Sequence, residues 1–185
     1  VGKDTDSTFF GIATLQMMLT SYEDPALRSV QIEDFSDIQY RGFIEGFYGG
    51  WDYKSRESLM RFARDVKMNH YIYASKTDPY HTSKWGELYP QSEIDQIQKL
   101  VKVGEETKCY YTWSVHISGF FTNLDTSNET AYNERYQKLL AKFRQLYDAG
   151  VRKFDILNDD FGQGTHEDVV NLLNKLTKEF IIPNN

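Results

Sequence analysis

Apolar positions along this chain change period repeatedly, from short runs or alternations to a spacing of three and four residues and back. Over 8–22, Phe9, Ile12, Leu15 and Leu19 recur at helical spacing. Val30-Gln31-Ile32-Glu33-Asp34-Phe35 alternates and predicts a strand. A second extended run, Tyr40 to Glu45, ends in the turn Gly46-Phe47-Tyr48-Gly49-Gly50. Residues 55–68 predict a helix with Leu59, Phe62, Ala63 and Val66 on its inner face. His70 to Ala74 predicts the next strand, followed by a polar loop from Ser75 to about Gln91. Ser92 is placed to cap a helix whose face is Ile94, Ile97, Leu100 and Val101. Cys109 to Val115 reads as a strand. Tyr132, Tyr136, Leu139, Phe143 and Leu146 mark a helix that stops at Gly150. Phe154 to Leu157 reads as the last strand. Thr165 with Asp168 forms a capping-box-like start for a helix with Val169, Leu172, Leu173, Leu176 and Phe180 on one face, and Pro183 follows.

From Tyr40 onward the pattern is strand then helix, four times over. That alternation predicts an α/β fold with a parallel sheet and its helices outside it. In such folds sites form at the carboxyl ends of the strands. The polar and glycine-rich segments concentrate at those ends: Gly46 to Gly50, Lys76 to His81, His116 to Gly119 and Asn158 to Gly162.

The formal net charge of -6, with no basic stretch interleaved with aromatics, argues against a nucleic-acid partner. No run of about 18 apolar residues predicts a membrane span. No signal-peptide pattern is present, and the chain opens on Val1 rather than Met, as an excised or processed piece would. With Cys109 as the single cysteine, no disulfide forms within the chain. Asn128-Glu129-Thr130 matches the N-glycosylation pattern, a match common by chance. The 13 Tyr, 12 Phe and 3 Trp suit a cleft for sugars, whose C–H faces pack on rings, and equally suit an ordinary core.

The most informative residues are Asn158-Asp159-Asp160-Phe161-Gly162, at the end of the run Phe154 to Leu157. Two adjacent carboxylates raise at least one pKa. The protonated member can act as a general acid while its ionised neighbour orients or polarises a substrate. The same residue types also build plain strand-end turns. Asp155, inside the strand, reads as structural and paired with a lysine or arginine. Lys76 follows the second strand, where a lysine can hydrogen-bond sugar hydroxyls or simply be solvated. Gly46 and Gly49 either permit close backbone approach to a ligand or serve the turn. His116, at the third strand end, reads as a buried, hydrogen-bonded histidine. His70, His81, His116 and His166 lack metal-ligand spacing, and no phosphate loop, dinucleotide fingerprint or nucleophile elbow occurs. The residues therefore imply no metal and no cofactor.

Arg41-Gly42-Phe43-Ile44-Glu45-Gly46-Phe47-Tyr48-Gly49 resembles the first-strand signature of glycoside hydrolase family 84. Tyr71 to His81, with Trp85 and Tyr89-Pro90 beyond, resembles the second-strand motif of that family. Tyr147-Asp148-Ala149-Gly150-Val151, leading to Asp159-Asp160, resembles the approach to its catalytic pair. The family comprises retaining β-N-acetylglucosaminidases, including O-GlcNAcases and secreted bacterial hexosaminidases once called hyaluronidases. The resemblance implies a TIM-type (β/α)8 barrel and a GlcNAc-bearing glycan or glycoprotein as substrate. It implies that Gly46, Phe47, Tyr48 and Lys76 hold the sugar. Asp159 would polarise the 2-acetamido group, and Asp160 would serve as general acid and then base. It also implies a secreted or cell-surface bacterial setting. The chain departs from the family where Gly50 meets Trp51 without an intervening proline, at Ser75, and at Asn158 and Phe161 around the aspartates.

A full barrel takes about 250 residues. Residues 39–185 hold four units and are expected to form its first half, with 1–38 the end of a small α/β domain before it. Half a barrel leaves two open sheet edges that favour self-association. Such a piece is expected to be weakly active or inactive alone. A non-catalytic carbohydrate-binding module on the same fold, and a metal-dependent hydrolase using the Asp pair, are the competing readings.

Overall fold

The computed structural model describes residues 2–20, 29–158 and 164–184. Strands β1 (Gly42–Glu45), β2 (His70–Tyr73), β3 (Tyr110–His116) and β4 (Lys153–Leu157) form one sheet, all parallel and in chain order. Helix α1 (Thr5–Thr20) precedes the sheet, and α2 (Tyr53–Asp65), α3 (Gln91–Thr107) and α5 (Glu129–Asp148) connect its strands. The four-residue α4 (Ser118–Phe121) follows β3. Helix α6 (His166–Leu176) runs into a π turn at Thr177–Ile181 and a 3-10 turn at Ile182–Asn184. Tyr110 of β3 pairs with His70, the first residue of β2, whereas Lys153, the first of β4, pairs with Thr112. This stagger is of the kind that tilts barrel strands.

Alternation along the strands divides the sheet into two faces. Tyr71, Tyr73, Tyr111, Trp113 and Val115 are buried beneath the helices with Met60, Ile97, Leu139, Phe143 and Leu172. Phe143 stacks on Phe154 at 4.9 Å, and Phe180 meets both edge-on. The opposite face borders a hollow of about 860 Å³, with Ile44, Ile72, Thr112 and Asp155 on its wall. Helix α1 closes the amino end of the sheet, where Asp6 accepts from Tyr110 and pairs with Lys108. The carboxyl end is left to the loops.

The expected strand–helix order is present, with local corrections. Val30–Phe35 forms no strand: residues 29–35 run without regular structure, and Phe35 is 77 % exposed. Alternation marks an extended chain, but a strand also needs a neighbour with which to pair. Helix α2 presents Arg56, Met60 and Ala63 inward, whereas Phe62 is 55 % exposed and Val66 is exposed too. The bond from Arg56 to Glu45 sets that rotation. Helix α3 is capped at Pro90, which leaves Ser92 inside the first turn, and Leu173 of α6 is exposed. Helix α4 carries no extended apolar pattern and escapes periodicity. Asp155 has no ion pair among the described residues. Gly150, at φ 102°, stands just beyond the end of α5 as expected, in a conformation that side chains disfavour. The capping box of Thr165 and Asp168 is complete.

One buried cation fastens the connection after β2. Lys142 of α5 is wholly out of solvent, donates to the carbonyls of Tyr80 and Lys84 at 2.8 Å each, and lies 5.2 Å from the Tyr89 ring. Burial pushes its ammonium down to about 7, against the pull of Asp78 and Glu87. The unfolded chain keeps that proton up to about 10.5, so this group makes stability rise with pH between those two values. Denaturant unfolding of the parent chain beside Lys142→Met should show the parent gaining about 2 kcal/mol on the variant from pH 6 to pH 9.

Candidate functional site

The first strand ends on a carboxylate that organises the turn beyond it. Glu45 is completely buried on the helix side of β1. Its two oxygens accept from Arg56 Nε and an Arg56 terminal nitrogen at 2.9 Å each. The Tyr71 hydroxyl and the Trp51 backbone N–H complete the set. Because Trp51 follows the turn that Glu45 precedes, one side chain closes the base of the loop carrying Gly46, Phe47 and Tyr48. Asp52 then caps α2 through the Ser55 N–H, so the helix begins as soon as the loop ends.

The loop after β2 is brought against this turn. The Lys76 N–H donates to the Phe47 carbonyl at 3.4 Å. A Cβ on Gly50 would stand 2.4 Å from Thr77 Oγ1, so any other residue there would have to displace the Thr77 hydroxyl. A Cβ on Gly46 or Gly49 would make only ordinary contacts, with Ile44 and Phe47 respectively. The loop has its own anchor in Asp78. That carboxylate accepts from the Tyr73 hydroxyl at 3.0 Å, the Tyr89 hydroxyl at 2.7 Å and the Tyr80 N–H at 2.8 Å. Trp113 of β3 donates to the Tyr89 hydroxyl. His81 reaches β3 as well: its Nδ1 bonds the Ser114 carbonyl at 2.8 Å, and its own carbonyl accepts from the His116 N–H at 3.0 Å. Burial holds the His81 imidazole below its ordinary pKa, so the ring is neutral.

Gly46, Phe47, Tyr48 and Lys76 therefore gather at the carboxyl end of β1 and β2. Tyr48 projects into solvent at 85 % exposure, while Lys76 is half-buried. His116, expected to be buried, is half-buried, with its Nδ1 2.7 Å from the Ser118 hydroxyl. Strand β4 leads to the same end of the sheet and to the exposed Asn158. Asp159 and Asp160 lie outside the described residues. Among the described residues, no group of three His, Cys, Asp or Glu could hold a metal ion, and no helix is long and apolar enough to cross a membrane.

Sequence reasoning passes over Glu45, Arg56, Asp78 and His81 as organisers of these loops. Asp78-Pro79 does signal a turn, and its bond to the Tyr80 N–H is that turn. Nothing local signals that Tyr73 and Tyr89 converge on the same carboxylate. Burial alone would raise the Glu45 pKa, but the bonds from Arg56, Tyr71 and Trp51 outweigh it and hold the carboxyl below its ordinary 4.5. A lowered folded-state pKa contributes stability that is present above 4.5 and lost as pH falls through the folded value. Glu45→Gln should cost about 3 kcal/mol at neutral pH by leaving Arg56 buried without its counter-charge, and should flatten acid unfolding below 4.5 in denaturant titrations.

The family model described as beta-N-acetylglucosaminidase (NAGidase) matches residues 41–183. The chain is 29% identical over 120 residues to the Protein O-GlcNAcase of Rattus norvegicus and, to the same extent, to that of Mus musculus; the match takes in 64% of this chain and 12% of each relative. It superposes on the structure of CpGH84D with a TM-score of 0.85 at 42% identity, covering 95% of this chain and 29% of that one. The structure of CpGH84B gives a TM-score of 0.71 at 36% identity over 77% of this chain and 25% of that one. A point mutant of the Thermobaculum terrenum O-GlcNAc hydrolase gives 0.63 at 25% identity, over 77% of this chain and 33% of that one. The chain thus spans about an eighth of the curated relatives and under a third of the CpGH84D chain. With a family match that runs from the start of the first barrel-type strand through the last helix, the chain belongs to the beta-N-acetylglucosaminidase family, glycoside hydrolase family 84.

Proposed function

We propose that this chain supplies half of the site of a retaining β-N-acetylglucosaminidase that removes terminal β-linked GlcNAc, by a mechanism in which the substrate assists. The observation that carries the reading is the joining of the Phe47 and Lys76 loops at the carboxyl end of the sheet, in a chain of this family. Gly46, Phe47, Tyr48 and Lys76 cradle the sugar. Asp159 orients the 2-acetamido group and stabilises the positive charge that develops on its nitrogen. The acetamido oxygen attacks the anomeric carbon, and the bond to the leaving oxygen breaks as Asp160 protonates that oxygen. The positive nitrogen passes its proton to the Asp159 carboxylate, which leaves a neutral oxazoline. Water, deprotonated by the Asp160 carboxylate, then opens the oxazoline at the anomeric carbon and restores the original configuration. No enzyme nucleophile is required, so two neighbouring carboxylates suffice where most retaining glycosidases place theirs about 5 Å apart across the bond.

In this reading residues 39–185 are the first four units of a (β/α)8 barrel, and 1–38 end a small preceding α/β domain. Ligands from four further strands complete the sugar site, and the isolated chain turns over slowly or not at all. The aglycone can be a protein O-GlcNAc, a glycan terminus or a hyaluronan-like polymer, since each presents the same sugar.

Hydrolysis of a fluorogenic β-N-acetylglucosaminide is the test. A protein extended through the remaining strands should release fluorophore, and Asp160→Ala should lower that release by at least about a hundredfold, as removal of a general acid does. GlcNAc binding without turnover, unaffected by Asp160→Asn, would mark a non-catalytic carbohydrate-binding module instead. The edges of β1 and β4 have no strand neighbour among the described residues. The 185-residue chain should therefore sediment above its 21.7 kDa monomer mass at micromolar concentration.

A further inference from the structure

Two side chains of α5 hold the loop after β2 by its backbone. Lys142 Nζ donates to the carbonyls of Tyr80 and Lys84. Gln145 takes both backbone polar groups of Tyr89: its Oε1 accepts from the Tyr89 N–H at 2.9 Å, and its Nε2 donates to the Tyr89 carbonyl at 2.8 Å. Their spacing along the helix puts Lys142 and Gln145 on one face. A late helix thus grips both ends of a stretch, 80–89, that precedes β3 in the chain. Backbone groups are the same whatever side chains a loop carries, so this grip sets the path of the loop and not its composition.

The grip reaches Lys76 through Asp78. The Tyr80 N–H and the Tyr89 hydroxyl both donate to the Asp78 carboxylate. The Asp78 N–H in turn donates to the Ser75 carbonyl at 3.0 Å, and Lys76 lies inside the turn this closes. Releasing residues 80–89 from α5 therefore loosens the turn that presents Lys76. For the fold alone, Lys142 is a costly choice. Burial disfavours its charge, and Asp78 and Glu87 offset that only in part. A methionine of similar length would pack beside the Tyr80 and Tyr89 rings, which lie 5.4 and 5.2 Å from Nζ, without removing an ammonium from water. It could not bind the two carbonyls.

We propose that Lys142 and Gln145 are positioning residues for sugar binding, which hold the loop after β2 in the arrangement in which Lys76 meets bound GlcNAc. The inference rests on the β-N-acetylglucosaminidase reading and adds to it the means by which the loop is set before the sugar arrives. A loop that spends only part of its time in that arrangement binds with an affinity reduced by that fraction, while the bound complex itself is unchanged. The loss therefore falls on KM and leaves kcat in place.

The test measures kcat and KM for a fluorogenic β-N-acetylglucosaminide in the protein extended through the remaining strands. Lys142→Met and Gln145→Met should each raise KM about five- to tenfold, the worth of roughly one hydrogen bond, with kcat within about twofold of the parent. Once Lys76→Met is present, each should change KM by less than about twofold, because a sugar that no longer meets Lys76 does not distinguish the two loop arrangements. A variant damaged as a whole would lose kcat, and its effect would multiply with that of Lys76→Met. Either result, or an unchanged KM, overturns the positioning role and leaves the proposed function standing. The two variants remove separate bonds, so each decides the question if the other does not fold. No fluorophore release by the extended parent overturns both readings.

Discussion

A carboxylate removed from water must be surrounded by donors or be lost to protonation, and Glu45 meets that requirement in a way that determines much of the molecule. Two nitrogens of Arg56, the Tyr71 hydroxyl and the Trp51 N–H converge on it. Each contact has a structural consequence. Arg56 fixes the rotation of α2 and turns Phe62 outward. Tyr71 ties β1 to β2 on the buried face. Trp51 closes the loop that presents Phe47 and Tyr48. The Arg56 guanidinium also lies 5.0 Å from the Tyr73 ring, which links the pair to the next anchor. Hydrophobic residues alone would stabilise this corner about as well, but they would not specify the direction of three elements at once.

Asp78 has the corresponding role in the loop after β2. Its acceptors are filled by tyrosines from β2 and from the loop end, and the Trp113 indole extends the chain of bonds to β3. Lys142 comes in from α5 and holds two carbonyls of the same loop. A long polar connection of this kind would ordinarily be mobile. Here it is bonded to β2, β3 and α5, and Lys76 is held at its start. Placing the loops at the strand ends thus depends on buried polar groups behind them, together with the apolar Ile117, Phe120 and Phe121 beyond the end of β3. Tyr111 is the exception in the aromatic layer: its buried hydroxyl lacks a hydrogen-bond partner among the described residues, whereas Tyr71, Tyr73 and Trp113 are bonded.

Much of the fold is legible in the chain before its packing is known. Strand residues at 42–45, 70–73, 110–116 and 153–157 lie within a residue or two of the apolar runs that predict them. Helices α3 and α5 bury the faces expected of them, because a stripe of apolar residues long enough to cover a sheet leaves little freedom in rotation. Val30 to Phe35 failed for the opposite reason, since its alternation contains no information about whether a partner strand exists. The inner face of α2 failed because a single long-range ion pair, Arg56 to Glu45, overrode a stripe that included Phe62 and Val66.

Chain order and period alone determined that this protein is built of parallel strands with helices between them, and the motifs around Gly46 to Tyr48, Lys76 and Asp159-Asp160 determined its family. These are local properties: a run of residues has its period and its motif whatever it later touches. Only the tertiary structure decided that Glu45 and Asp78 are the anchors of the two loops, that Gly50 lies against Thr77 of the neighbouring loop, and that His81 Nδ1 meets the Ser114 carbonyl. Each of those facts depends on which donor or acceptor arrives from another strand. The sequence holds both partners of every such bond, but which of them meet follows only from the register and packing of the folded sheet.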